Sequence, residues 1–226
     1  MTGRAIAAFP LFFRHTIGAF AGSPFVLSPW QAFIVGQIFG WKCEDGTRRF
    51  QRVYISIGRK NGKSTLAACI GILMARFDGE AAAEVYIGAT KSDQARVIFR
   101  ECTRMVRKSP ALVPFADPRV SQINFADSFI KPLGSDKAFD GLNPHCTIFD
   151  ELHAWKELHR PFYDTLTTGS ASRSQPLRFT ITTAGDDKSL IWVEEQEHAQ
   201  SVVSGKFEDE SYLVYVAQLE KDDDIF

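Results

Sequence analysis

The sequence predicts an α/β fold: a mostly parallel β-sheet with helices on both faces. Three observations carry that prediction. Apolar, β-rich runs alternate with helical patterns along the chain, the order that yields parallel strands joined by helical crossovers. The tripeptide G-K-S at 62–64 stands directly between one such run and a long apolar helix pattern. A later apolar run ends on the acidic pair Asp150-Glu151.

The elements follow in order. MTGRAIAAFPLFFRH at the N-terminus reads as an amphipathic helix packed on the domain. A secretory signal is the competing reading, but Pro10 interrupts the apolar run, Arg14 and His15 end it, and no clean small-residue cleavage site follows. The run is also too short to span a bilayer. A strand is expected over 53–57, then a helix over 63–76 that is apolar nearly all round and hence buried. A strand over 84–90 precedes a helix over about 92–108. Residues 121–133 alternate in polarity around a turn-like A-D-S, which predicts a hairpin. A short buried strand over 145–149, a helix over 161–168, a strand over 177–183, a helix over roughly 188–203 and a strand over 212–218 complete the order, before the acidic tail EKDDDIF. The expected organisation is one domain over 1–220, with a helical extension at about 1–45 and a linker beginning at 221–226.

Composition narrows the function classes. At 226 residues the chain can bury roughly 70–75% of its unfolded surface and needs no staples. A formal charge of -1 gives no global attraction for nucleic acid, so any such contact must be a local patch. Cys43, Cys69, Cys102 and Cys146 are scattered without a C-x-x-C pair, and three lie in or beside apolar runs. They read as reduced thiols of a cytosolic protein, and no ligand spacing joins them to the histidines as a zinc site.

The stretch ISIGRKNGKST carries the first chemistry. A strand, a tight turn through Gly58–Gly62 and a helix from Lys63 form the context of a phosphate-binding loop. Backbone N–H groups of Gly58, Arg59, Lys60, Asn61 and Gly62, with the helix N-terminus beginning at Lys63, Ser64 and Thr65, would cradle phosphate. Lys63 would reach the terminal phosphates of ATP and the Ser64 hydroxyl would ligate Mg²⁺. Ile57 occupies a position where the common pattern has Gly. The pair Asp150-Glu151 has two readings. It is either a metal-holding Asp with a water-activating Glu, or two acids capping the next helix. Downstream of a phosphate loop the first is preferred, because ligands bind at strand C-termini in such sheets. A water-activating Glu beside the metal Asp points to hydrolysis rather than to phosphate transfer onto a small molecule.

Three further groups stay open on the residues alone. Thr182 and Thr183, before Gly185, either sense the γ-phosphate or simply end a strand in a Gly-Asp turn. Gln31, in L-S-P-W-Q, either reads adenine through its amide or begins a surface helix with Pro at its first position. Arg96, Arg100, Arg104 and Arg107 fall within about 80° of one helix face, which is either solvated or turned toward DNA or a neighbouring subunit.

In this order and at these distances, P-W-Q, G-R-K-N-G-K-S, S-D-K-A-F-D-G-L-N-P, F-D-E-L-H and T-T-A-G resemble the ATPase domain of tailed-phage terminase large subunits, over roughly residues 25–190. The resemblance implies an additional-strand, RecA-like P-loop NTPase that hydrolyses ATP with Mg²⁺ to drive double-stranded DNA into a procapsid. It implies Lys63 and Ser64 as phosphate and metal residues, Asp150 as the metal aspartate, Glu151 as the catalytic glutamate and Gln31 at adenine. It further implies Thr182, Thr183 and Gly185 as the coupling motif and Arg59 as an arginine finger or γ-phosphate sensor. The implied partners are a small terminase subunit, a portal protein and sister subunits in a ring, expected to be a pentamer, with no membrane. The setting is the cytoplasm of a bacterial host, with transient docking at the procapsid portal. The family also carries a C-terminal nuclease domain, for which this chain leaves no room, so ATPase chemistry without DNA cleavage is expected. Two other classes compete. D-E-L-H also fits superfamily 2 helicases, although those need a second lobe, and a non-hydrolysing nucleotide-dependent assembly module would have no use for Glu151.

Overall fold

A computed structural model describes residues 2–136, 141–185 and 188–217. Eight strands form one sheet: β1 Arg52–Ile57, β2 Glu84–Ala89, β3 Asp117–Pro118, β4 Ile123–Phe125, β5 Ser128–Gly134, β6 Cys146–Asp150, β7 Leu177–Thr182 and β8 Tyr212–Ala217. Their spatial order is β3-β4-β5-β2-β6-β7-β1-β8. The pairs β3–β4 and β4–β5 are antiparallel, and all others are parallel.

Side chains alternate across a strand, and the two sets build two cores. Val53, Ile55 and Ile57 of β1, with Val85, Ile87, Ile148, Phe179 and Ile181, join the core shared with α1 Thr2–Phe12, α2 Pro29–Gly40, α3 Lys63–Arg76 and α4 Ser92–Lys108. Tyr54, Tyr86, Phe149 and Tyr212 join the core of the opposite face, shared with α5 Arg160–Thr168 and α6 Leu190–Val203. Helix α3 is buried on nearly every side from Leu66 to Ala75, as its all-round apolar pattern predicts. Both faces are therefore covered.

The differences from expectation are local. Pro10 interrupts the apolar run but lies inside α1, which continues to Phe12. Helix α6 begins at Leu190 rather than 188, because the Ser189 side chain caps it by accepting from the Trp192 N–H. The hairpin turns at Ala126 and Asp127, with Ala126 at a φ of 53°. The proposed linker at 221–226 and the acidic tail lie outside the described residues, as do residues 137–140 of the S-D-K-A-F-D-G-L-N-P segment. Cys69, Cys102 and Cys146 are buried free thiols, and Cys43 is exposed. No helix among the described residues is long and apolar enough to cross a membrane.

At the edge where the strands begin, an ionic cluster lies buried. Arg48, just before β1, is fully buried and pairs with Asp78 at 2.5 Å, and His145, just before β6, lies 2.7 Å from the same carboxylate oxygen. Arg48 also donates through Nε to the Gln175 carbonyl, just before β7, at 3.0 Å. Burial alone would raise the Asp78 carboxyl, but the contact with His145 and the Arg48 charge overcome it and hold the group below the usual range. A depressed carboxyl contributes stability above its unfolded value of about 3.9 and loses it as pH falls through the lower folded value. Asp78→Asn, which strands the Arg48 charge, is expected to cost about 3–5 kcal/mol in denaturant unfolding at neutral pH. It should also flatten the loss of stability below about pH 4; an unchanged acid limb would exclude this role.

Candidate nucleotide site

Three parallel strand ends converge on the opposite edge. Ser56 of β1 pairs with Thr182 of β7, and Ile181 of β7 pairs with Asp150 of β6. The registers thus align the loop after β1, the acidic pair at the end of β6 and the threonines at the end of β7. Strand β7 lies between β1 and β6.

The loop from Gly58 to Gly62 is exposed, whereas Lys63 at the start of α3 is buried. Lys60 and Gly62 adopt left-handed backbone, at φ values of 65° and 78°. Such turns gather successive N–H groups into an anion-binding concavity, here at the N-terminus of the 14-residue helix α3. Lys63 Nζ donates to the carbonyls of Ile57 at 2.8 Å and Gly58 at 2.9 Å, and Asn61 donates to the Gly58 carbonyl at 3.1 Å. Ile57 is a core residue, 8% exposed, so its side chain serves the sheet while the turn begins one residue later. Ser64 and Thr65 are half-buried on the first turn of α3.

Helix α2 does begin with Pro29 at its first position, as one of the two sequence readings of this stretch has it, but Gln31 itself is buried. It is 5% exposed in α2, where its Oε1 accepts the Ser28 N–H at 3.0 Å. A Cβ built on Gly62 would come within 3.1 Å of Gln31 Nε2, so α2 packs directly against the loop.

Burial sets the electrostatics. Asp150 is 9% exposed, and burial, reinforced by the neighbouring Glu151 charge, pushes its carboxyl up to about 7 despite the opposing pull of Lys63. Burial lowers the Lys63 amine, against the attraction of Glu151 and Asp150 and with the help of the Arg59 charge. These four groups share one field. Arg59 itself is exposed and makes no ion pair among the described residues.

The acidic pair is not a helix cap. Glu151 precedes a short 3₁₀ turn, Leu152–Ala154, and its side chain makes no capping hydrogen bond. Its φ is 48°, left-handed for a non-glycine residue. Its Oε2 is buried without a hydrogen-bond partner, at ion-pair distance, 3.1 Å, from His153 Nδ1. The turn is pinned from both sides: Trp155 Nε1 donates to the Asp150 carbonyl at 3.1 Å, and Ser189 Oγ donates to the Trp155 carbonyl, with the Leu152 carbonyl beside it at 3.3 Å.

His153 was not singled out by the sequence, although the D-E-x-H spacing was its available signal. Its N–H donates to Thr182 Oγ1 at 3.1 Å, and its Nδ1 lies 3.2 Å from Thr182 Oγ1 and 3.3 Å from Thr183 Oγ1. Thr182 is fully buried and donates to the Thr183 carbonyl at 2.8 Å. A Cβ on Gly185 would stand 2.6 Å from His153 Cβ and 3.0 Å from the Trp192 ring, so only glycine lets the strand end pass there. Asp186 and Asp187, which complete that motif, lie outside the described residues.

Arg96, Arg100, Arg104 and Arg107 are all exposed on α4, away from this edge's core. Arg104 pairs with Glu101 at 3.5 Å, while Arg96, Arg100 and Arg107 line a groove with Phe99, Arg119 and Val120.

A Gly-Lys-Ser loop after β1, an acidic pair at the end of β6 and a strand inserted between them give the additional-strand fold of P-loop NTPases. The chain belongs to the family of terminase large subunit ATPase domains, whose pattern it matches over residues 29–201. It is 28% identical over 233 aligned residues to the terminase large subunit of Enterobacteria phage HK97, covering 98% of this chain and 43% of that protein. A segment is 46% identical over 46 residues to protein YmfN of Escherichia coli K12, 20% of this chain and 10% of that protein. Against the crystal structure of the HK97 large terminase the TM-score is 0.82 at 26% identity, over 99% of this chain and 45% of that one. The large terminase of a thermophilic bacteriophage, solved with ADP, shares the fold at a TM-score of 0.56 and 14% identity, over 84% and 45% of the two chains. The chain thus spans less than half the length of these large subunits.

The packing around Gly185 yields a stability test. Gly185→Ala overpacks the site against His153 and Trp192 and is expected to destabilise the chain by about 1–3 kcal/mol in thermal or denaturant unfolding. Wild-type stability would mean the segment moves aside freely.

Proposed function

We propose that this domain hydrolyses ATP to drive double-stranded DNA into a viral procapsid. The observation that carries the reading is the register that sets the phosphate loop, the acidic pair and Thr182 side by side at one sheet edge. Family membership supports it and does not favour the helicase or the non-hydrolysing module.

In this reading the backbone of Gly58–Gly62 and the α3 N-terminus hold the phosphates, with Ser64 and Thr65 on the first helical turn. Lys63, whose Nζ donates to the carbonyls of Ile57 and Gly58, would turn to the β- and γ-phosphate oxygens. Gln31 stands against the loop, as an adenine-side or loop-supporting group. Among the described residues no three His, Cys, Asp or Glu side chains cluster as a metal site. Mg²⁺ needs no such cluster, since it binds through one or two carboxylates plus phosphate oxygens and water. The Ser64 hydroxyl and the Asp150 carboxylate are hard oxygen donors of that kind, and a buried carboxyl raised to about 7 is one that a cation would return to its charged form. Bound there, Mg²⁺ would neutralise charge developing on the phosphates.

Glu151 orients and deprotonates the attacking water. Arg59, exposed in the loop and unpaired among the described residues, supplies positive charge to the transition state. Thr182, Thr183 and Gly185 pass the state of the γ-phosphate to the chain beyond. The exposed arginines of α4 present the local positive patch that duplex DNA, or a neighbouring subunit, would require. The implied assembly is a homo-oligomeric ring, pentameric in this reading, at the procapsid portal in the host cytoplasm, with the small subunit and portal protein as partners.

Glu151→Gln is expected to bind ATP with Mg²⁺ while turnover stops; near-normal turnover would remove the water-activating role. Arg59→Ala should lower turnover by roughly 10³–10⁵-fold with ATP binding largely kept. Lost binding with unchanged turnover of bound ATP would rule out the finger.

A further inference from the structure

Between the catalytic glutamate and the coupling strand stands one side chain that the proposed chemistry does not use. His153 Nδ1 is 3.1 Å from Glu151 Oε2, 3.2 Å from Thr182 Oγ1 and 3.3 Å from Thr183 Oγ1. One ring nitrogen cannot satisfy all three at once. It carries a single proton or a single lone pair directed in the ring plane. The three contacts are therefore alternatives.

The surroundings make that competition consequential. Glu151 sits in left-handed backbone, a conformation that persists only where neighbours over-determine it. Its Oε2 is buried and has no hydrogen-bond partner among the described residues, His153 Nδ1 standing beside it at ion-pair distance. The His153 main chain is itself fastened to Thr182, and its Cβ is walled in by Gly185. The backbone of residue 153 is thus part of the β7 end, while its ring faces the glutamate. Trp192 of α6 closes the other side of Gly185. A rotation of the Glu151 carboxylate toward a water would free Nδ1 for the threonine hydroxyls, and the reverse movement would take it away from them.

We propose that His153 is a positioning residue that couples Glu151 to the Thr182–Gly185 segment, its Nδ1 exchanging between the carboxylate and the threonine hydroxyls as the γ-phosphate comes and goes. The inference rests on the proposed ATPase reading and adds the physical link from hydrolysis to β7 and α6. It acts through Glu151 and touches no reacting atom.

The test compares His153→Ala and His153→Asn with the unmodified chain. ATPγS and ADP affinities, ATP turnover, and hydrogen exchange of the segment from Thr182 to Trp192 with ATPγS or ADP bound are measured together. Asn can place an amide group where Nδ1 stands, so it keeps the contact without the ring. His153→Ala is expected to bind ATPγS within about threefold of the unmodified chain. Its turnover should fall about 10²-fold, the cost of a misplaced catalytic group, and the exchange difference between ATPγS and ADP should vanish. His153→Asn should restore that difference and most of the turnover. A difference retained in His153→Ala, or an Asn variant as impaired as Ala, would overturn the proposal. Should His153→Ala fail to fold, Thr183→Val removes one of the two hydroxyl contacts of Nδ1: a reduced difference with intact affinity supports the coupling, and an undiminished one overturns it. Failure of the unmodified chain to bind ATPγS would overturn the ATPase reading itself, which distinguishes the two failures.

Discussion

The one-to-one parallel register of β6, β7 and β1 is the constraint on which the rest of this molecule depends. Because side chains alternate along a strand, a slip of one residue would turn every core residue of that strand to the wrong face. It would also carry Asp150, Thr182 or the start of the phosphate loop out of line with its neighbours. Apolar residues on both faces of the three strands enforce the register from within. At the far edge, the buried side chains of Arg48, Asp78 and His145, with the half-buried Gln175, tie together the segments that enter the same three strands. Chemistry at one edge is thus held by ionic contacts at the other.

The site is where local preferences are broken. Of the four non-glycine residues with positive φ among the described residues, Lys60 and Glu151 both lie in it. Lys60 shapes the turn through its left-handed backbone. Glu151 sits in a conformation that glycine or asparagine would adopt more easily, so its placement depends on the turn pinned by Trp155 and Ser189. Such departures are expected at functional positions, where the surrounding fold holds what the local sequence would not choose.

Much of the fold was legible in the chain. Helices α3 and α4 fall over the predicted 63–76 and 92–108, because long periodic segments with clear ends leave little freedom. Strand ends were off by a residue or so, as at Thr90 and Thr183, where hydrogen-bond partners rather than residue type decide. The two-residue β3 carries too little pattern to be read at all. The placement of Lys63, Asp150 and Glu151 at the ends of β1 and β6 was legible because their spacing from a strand end is local. His153 and the packing role of Gln31 were not, because each depends on contacts with residues far along the chain.

The sequence by itself determined the order of elements, the loop and acidic pair at strand ends, and the family to which the chain belongs, since each is written in short stretches of neighbouring residues. Only the tertiary structure decided that burial raises the Asp150 carboxyl to about 7, that Glu151 does not cap a helix, that Ile57 serves the core, and that His153 stands between the glutamate and the threonines. The physical reason is that burial and side-chain contact across strands are properties of pairs brought together by the sheet. No single stretch of chain contains both members of such a pair.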